Sequence, residues 1–535
     1  MVKPLFKVCV LLFAFILNVG ALSHSEDNIL YFFPQAKRDG LNIIWAHDLN
    51  SQTKLTQALE GSAMMLEADV SLRDRGKPNQ VPIMSPNSMT PSDITLEQWI
   101  DMVTRYTNKG IKLDFKDVQA VQPALDILLL KEAQLRVPLF FHADIIAGPN
   151  GQNSVDLIQP TEFIAIVNTM FPNATFSLGF VSSASSGLNQ QDRYTWTMIF
   201  DMLDTSSTVT THPITFNFRA VWANKSWQKF VWLLGLTNRF SVTIWSKATD
   251  PLNTFTGLEE LRNNGDKRRI FYDLAPQHLA RFKTDLSFVT PTTAAPNVWN
   301  RNLWEGNANA LTSGYIYLSA EGAAIVGDSY PGYIQTIDMW KPSKDGLNPL
   351  IVRGQIQFVN RNMQKAPGPA STEIIIRASP MSEGPVIVPI KGIKCAIEDT
   401  GRIYVQDLMS HYDSLDKMIT PADCYSFEIL DNGQEVTFNV KVVQCSDSDL
   451  RPTYIDSVSI VFENVTHIEV EDSLVQFTKS GDMKNVVLED VSVQGKKFNR
   501  KRGNQPPNNL GNDNRPLILT TFLSVVSLIL LKIFT

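Results

Sequence analysis

The sequence predicts an α/β chain in which a (β/α)8 barrel of the TIM type, over residues 40–290, is followed by a β-rich, sandwich-like domain over residues 310–495. Two observations carry the barrel: about eight short apolar or β-branched runs alternate with longer helical patterns, and together they span roughly 250 residues, the usual size of that fold. A third carries the second domain. After the interruption "TPTTAAP" from Thr290, the period changes to closely spaced strand-like runs separated by turn residues.

The barrel strands are expected, in order, at "NIIWAHDL" from Asn42, "MMLEADVSL" from Met64, "IKLDFK" from Ile111, "VPLFFHADI" from Val137, "TFSLGFVSS" from Thr175, "ITFNFRA" from Ile214, "FSVTIWSK" from Phe240 and "RRIFYDLA" from Arg268. Helices are expected between them. In "TLEQWIDMVTRYTNK", Thr95 is placed to cap, and Leu96, Trp99, Ile100 and Val103 recur on one face. "TEFIAIVNTMF" and "RYTWTMIFDML" have the same character, so Trp99, Trp196 and Trp227 are expected in the core. Downstream, "GYIYLSAEGAAIVG", "LIVRGQIQFVNR", "STEIIIRAS", "PVIVPIKGIKCAI", "QEVTFNVKVVQC", "YIDSVSIVFENVTHIEV" and "MKNVVLEDVSVQ" are the expected strands of an antiparallel sandwich.

The ends of the chain point to the secretory pathway. Lys3 and Lys7 precede the apolar stretch Val8–Val19, with small residues after it, so residues 1–23 are expected to be a signal peptide. Residues 516–535 form a hydrophobic tail that is either a lipid-anchor (glycosylphosphatidylinositol) signal or a transmembrane helix, preceded by a polar linker or stalk over 496–515. The expected address is the extracellular face of the plasma membrane, with clipping at the basic run Lys496–Arg502 as a route to a shed form. Sequons at Asn173, Asn224 and Asn464 agree with it. Cys9 falls in the signal, leaving Cys395, Cys424 and Cys445 to form one disulfide and one thiol that is unpaired or intermolecular. The net charge of −6 carries no nucleic-acid footprint.

The ionisable groups sit at strand ends. Side chains at i and i+2 share a face of a strand, so Glu67 and Asp69 point the same way and Leu66, Ala68 and Val70 the other. If the apolar set meets the helices, two carboxylates enter the barrel, where like charges need something positive between them. Asp114 and Lys116 repeat the pattern one strand on, and His47 ends the first run. Glu67, Asp69 and Asp114 then supply oxygen ligands for Mg²⁺ or Ca²⁺, Lys116 faces a phosphate, and His47 serves as acid, base or nucleophile. The alternative is a structural ion network in which Lys112 and Lys116 pair with Glu67 and Asp69.

"WAHDLNS", "MLEADVSL", "VPIMSPN", "GIKLDFK", "HADIIAGPNG" and "FYDL" resemble the menorin family over nearly all of residues 40–285. That family is in turn similar to the glycerophosphodiester phosphodiesterases and the sphingomyelinase D toxins. The resemblance implies a phosphodiesterase-type barrel in which His47, Glu67, Asp69, Asp114 and Lys116 match the metal and phosphate site in order and type, with a weaker match of Trp245 to a substrate-side aromatic. It also implies an extracellular role in cell-cell signalling and dendrite patterning through adhesion-type partners, with lipid head groups as the substrate class. The related enzymes carry a second histidine after strand two, but this chain has Ser85, Pro86 and Asn87 there, so half of an acid/base pair is missing. His142, which shares an inward face with Asp144, is the candidate replacement, and a purely structural histidine is the alternative.

Overall fold

The computed structural model describes residues 28–149, 157–181, 192–288, 299–308, 314–319, 321–327, 332–342, 348–361, 369–378, 391–410, 414–445, 456–467, 473–481 and 484–498. The expected signal peptide, the hydrophobic tail, nearly all of the stalk and the "TPTTAAP" break lie outside them. Among the described residues no helix is long and apolar enough to cross a membrane. The chain divides into two compact units near residue 292.

The first unit is a nearly closed parallel barrel. Its strands are β1 (Trp45–Ala46), β2 (Met65–Arg73), β4 (Gly110–Phe115), β5 (Leu139–Ala147), β6 (Thr175–Val181), β7 (Ile214–Arg219), β8 (Phe240–Trp245) and β9 (Ile270–Asp273), hydrogen-bonded in that order. Each expected run overlaps one of them, with ends that differ by one or two residues at β2, β4 and β5. A further strand, β3 (Val81–Met84), folds back antiparallel on β2 and pairs Val70 with Met84. The runs are continuous in apolar character because parallel barrel strands are covered on both faces. Along β2, Met65, Leu66, Ala68 and Val70 are wholly buried.

Helices cover the strands as their sequences direct. Leu96–Val103 starts with a capping box formed by Thr95 and Gln98, and it buries Leu96, Trp99, Ile100 and Val103. The Trp99 indole donates to the Leu49 carbonyl at 3.1 Å. Trp196, on the helix Trp196–Thr205, is also buried, whereas Trp227 is only partly so.

No ladder joins β9 to β1. The seam is filled instead by the short turn Gly40–Asn42, whose backbone comes so close to β9 that a Cβ on Gly40 would lie 2.1 Å from the Ile270 carbonyl oxygen. Beside it, the Arg262 guanidinium grips Asp39 in a fork, with Nη1 to Oδ1 at 2.8 Å. Side chains thus take over where backbone hydrogen bonds stop.

The second unit consists mainly of two seven-stranded antiparallel sheets. One runs, in pairing order, Trp304–Ala308, Gly332–Thr336, Leu474–Ser480, Ser371–Ala378, Ile393–Glu398, Arg402–Asp407 and Ser414–Met418. The other runs Gly314–Leu318, Gly322–Gly327, Lys484–Gln494, Leu350–Asn360, Cys424–Asp431, Val436–Val442 and Ser457–Phe462. Ile374, Ile376 and Phe477 of the first sheet share one buried cluster with Ile356, Phe427 and Leu488 of the second, which is the core of a sandwich. Lys496–Phe498, at the start of the expected stalk, pairs with Met339–Lys341.

Two details fix this unit. Cys424 and Cys445 form the disulfide, and Cys395 is the buried free thiol. Where the Ser371–Ala378 strand bulges, Arg377 takes a left-handed φ of 52° and lies in the core, donating to Asp431 at 2.8 and 2.6 Å and to the Val465 carbonyl at 2.7 Å.

Candidate functional site

The polar strand ends of the barrel meet at one cavity of about 1490 Å³ at its C-terminal mouth. Register explains the meeting. Glu67 lies beside Lys112 and Asp69 beside Asp114 across β2 and β4, and Asp114 lies beside His142 across β4 and β5, so two layers of polar groups project into the lumen. His47, Asp69, Asp114, Lys116, His142 and Trp245 all line the cavity. Glu67 lies beneath, 1% exposed.

Carboxylate oxygens of Glu67, Asp69 and Asp114 lie within 4.8 Å of one another. Lys116 sits against this cluster, its ammonium 3.0 Å from Asp69 and 2.6 Å from Asp114. Asp69 is also held by Asn50, which donates to its carboxylate at 2.6 Å and accepts from its backbone N–H at 2.8 Å. Glu67 accepts from the Asp48 N–H at 2.7 Å. Asp48 has a left-handed φ of 58°, a conformation tolerated by aspartate better than by most residues. An all-oxygen set of three carboxylates with an ammonium between two of them fits a hard divalent cation.

Charge at the site follows from these distances. Partial burial lowers the His47 imidazole, but Glu67 at 3.5 Å and Asp273 at 3.1 Å outweigh it and push it up to about 10. The ring is 48% exposed, so one edge faces the mouth while the other is held by acids. Burial raises Glu67 above the usual carboxylate range; His47 opposes the rise and Asp69 adds to it. Burial acts against the Lys116 charge, yet Asp114 and Asp69 hold its ammonium well above the ordinary lysine value. Asp273, although buried, is kept low by His47.

His142 is buried, with Nδ1 3.0 Å from the Ser177 hydroxyl and Nε2 3.3 Å from Asp144 and 3.9 Å from Asp114. Asn217 donates to the same Ser177 oxygen at 2.8 Å, which leaves the hydroxyl hydrogen for His142 Nδ1. A proton on Nε2, facing the two carboxylates, fits both ends of the ring. In the turn after β3, where the sequence lacks the expected second histidine, the Ser85 hydroxyl donates to the Asn87 carbonyl at 2.8 Å, and the Asn87 side chain accepts from the Met89 and Thr90 amides. That turn is engaged with itself.

Sequence reasoning missed Asp273, Asn50 and the site role of Asp48. It saw Lys112 only as a partner for the carboxylates, whereas the buried ammonium lies 3.9 Å from Asp273 and 3.4 Å from Asn217. The signal for Lys112 was its parity with Asp114, and for Asp273 its position at the end of "FYDL". Of the remaining histidines, His278 bonds Ser246 and His212 bonds the Ala174 carbonyl, both away from the carboxylates. Among the sequons, Asn173 and Asn464 are exposed, whereas the Asn224 side-chain oxygen accepts from the Gly257 N–H at 2.8 Å.

Residues 39–279 match the family described as the Menorin N-terminal domain. Protein FAM151B of Homo sapiens is 35% identical over 267 residues, which cover 49% of this chain and 95% of that protein. Solved structures with a slight likeness include basic winged bean lectin with Tn-antigen, at 8% identity, 37% of this chain, 94% of that one and a TM-score of 0.26. The VIP36 exoplasmic/lumenal domain in its Ca²⁺/Man3GlcNAc-bound form is another, at 10% identity, 39% of this chain, 88% of that one and a TM-score of 0.24. Likenesses that slight carry no argument.

Proposed function

Because the chain belongs to the menorin family, we propose that it is an extracellular, surface-anchored recognition protein whose barrel holds Mg²⁺ or Ca²⁺ and receives a phosphodiester-bearing ligand. The observation that carries the reading is the Lys116 ammonium lodged between Asp69 and Asp114, where three carboxylates converge. Glu67, Asp69 and Asp114 would hold the cation. When bound, it supplies Lewis acidity to a phosphoryl oxygen.

The chain's own residues do the rest. Lys116, released from the carboxylates, turns its charge to the phosphate. Asp273 fixes His47 through Nδ1, leaving the other ring nitrogen to donate a hydrogen bond or a proton at the mouth. Trp245 forms one wall. Cell-cell signalling and dendrite patterning through adhesion-type partners are the biological setting the family suggests. The Cys424–Cys445 disulfide and the exposed Asn173 and Asn464 sequons fit an oxidising, extracellular compartment.

A second reading, hydrolysis of glycerophosphodiester or lysophospholipid head groups, is favoured by one observation. His142 lies beside Asp114 and Asp144 with an orienting bond from Ser177, as a second acid/base group requires. The test is calorimetric titration of Mg²⁺ and Ca²⁺ into the purified protein, with Glu67→Gln and Asp69→Asn as controls, followed by turnover assays on the same samples. Cation binding lost in both variants supports the site. Turnover that disappears in His47→Ala and His142→Ala selects hydrolysis over recognition. Absence of cation binding in the unaltered protein would reduce the carboxylates to a structural network.

A further inference from the structure

The charges around the mouth are unevenly placed. Most acidic side chains that line the cavity already have a basic neighbour: Asp48 has Lys54, Asp69 and Asp114 share Lys116, Asp117 has Arg75 and Asp273 has His47, while Asp144 faces the His142 ring. Two cations on the same lining, Lys247 and Lys283, are exposed and have no carboxylate within ion-pair distance among the described residues. Lys247 follows β8, and Lys283 lies on the helix Pro276–Phe288. They stand on the Trp245 side of the mouth. Bonds from Ser246 to His278 at 2.9 Å and from Gln277 to the Ala248 carbonyl at 3.0 Å tie the two segments together.

Trp245 itself is already engaged by a cation. The Arg219 guanidinium lies 5.2 Å from the centre of its ring and 5.5 Å from that of Trp222. Arg219 is fixed by Asp250, which is fully buried at its side chain, with Nε to Oδ2 at 3.0 Å. An aromatic ring attracts an ammonium through the negative potential of its face. Asp250 balances the net charge of Arg219, but the guanidinium over the ring weakens that potential for a second cation. A divalent cation bound by the carboxylates would free Lys116 and add positive charge to the mouth.

We propose that the group esterified beyond the phosphate is acidic: the mouth takes phosphodiesters whose head group carries further negative charge and turns away quaternary-ammonium head groups. This rests on the reading of the mouth as a phosphodiester site. Lys247 and Lys283 set the preference electrostatically, and the engaged Trp245 offers stacking without an ammonium cage.

The experiment compares three probes by calorimetry on the full-length protein in the presence of Mg²⁺: glycerophosphoinositol 4-phosphate, glycerophosphoglycerol and glycerophosphocholine. The expected order of affinity is the order given, with about tenfold between the first and last from two added charge contacts in a wet mouth. That ratio should shrink as ionic strength rises. In the double variant Lys247→Glu/Lys283→Glu it should invert, and because both side chains are exposed the fold is expected to persist, as circular dichroism would verify. A choline ester that binds as well as the acidic one, or a ratio unmoved by the double charge reversal, would overturn the inference and leave the phosphodiester site standing. Failure of all three probes to bind would remove both.

Discussion

Lys116→Met separates an ammonium that competes with a cation from one that merely orients the carboxylates. Lys116 makes two charge-assisted bonds, 3.0 Å to Asp69 and 2.6 Å to Asp114, and a divalent cation held by the same carboxylates would compete with it. Hydrogen bonds to charged groups contribute about 1.5–3 kcal/mol each. Removing the competitor should therefore tighten cation binding by at least about tenfold, tenfold being 1.4 kcal/mol. The same change strips the carboxylate cluster of its internal counter-charge. The ion-free variant should melt lower, by about 2–4 °C for each kcal/mol lost in a domain of this size, and Mg²⁺ should restore more of that loss than it adds to the unaltered protein. Titration calorimetry and thermal unfolding with and without cation measure both. A variant that binds the cation equally well or more weakly would show that the ammonium does not occupy the cation's place, and the argument for the site would lose its main support.

Three further outcomes are expected. Glu67 and Asp273 raise His47 from its usual 6.5 to about 10, so the stability it contributes is complete below about pH 6.5 and fades as pH rises through 10. The stability difference between the unaltered protein and His47→Gln in denaturant titrations should shrink over that window, and a constant difference would contradict the assignment. Arg377→Met leaves Asp431 buried without its partner and should cost about 3–5 kcal/mol in the unfolding of the sandwich, part of which Asp431→Asn in the same chain should recover. Peptide mapping of protein secreted from eukaryotic cells should find glycans at the exposed Asn173 and Asn464 but not at Asn224, whose amide is tied to Gly257, and an occupied Asn224 would refute that distinction.

The barrel strands could be read from the chain because each is a continuous apolar run broken only at alternate positions by groups that face the lumen. That alternation puts Glu67 and Asp69 on one face of their strand and Asp114 and Lys116 on one face of theirs, and the barrel order brings the two faces together. The β3 hairpin was not legible, since "VPIM" is short and Pro82 argues against a strand. In the sandwich, Leu474–Ser480 was missed because Gln476 and Lys479 are buried inside it and make its pattern look polar. Asp273 escaped for another reason. It meets His47 across 226 residues of sequence, and only closure of the barrel brings them together.

The seam gives the site a motional signature. β1 contributes only Trp45–Ala46 to the ladder, and its free edge is joined to β9 by side chains, one pair of which is His47 with Asp273. The segment that presents His47 is thus expected to be weakly protected against amide hydrogen exchange. Any ligand that draws His47 toward the cavity loosens a latch at the same time, whereas one that tightens the His47–Asp273 pair closes it. Exchange rates of the amides around residues 43–49 would then register occupancy of the mouth even for a ligand that is never turned over.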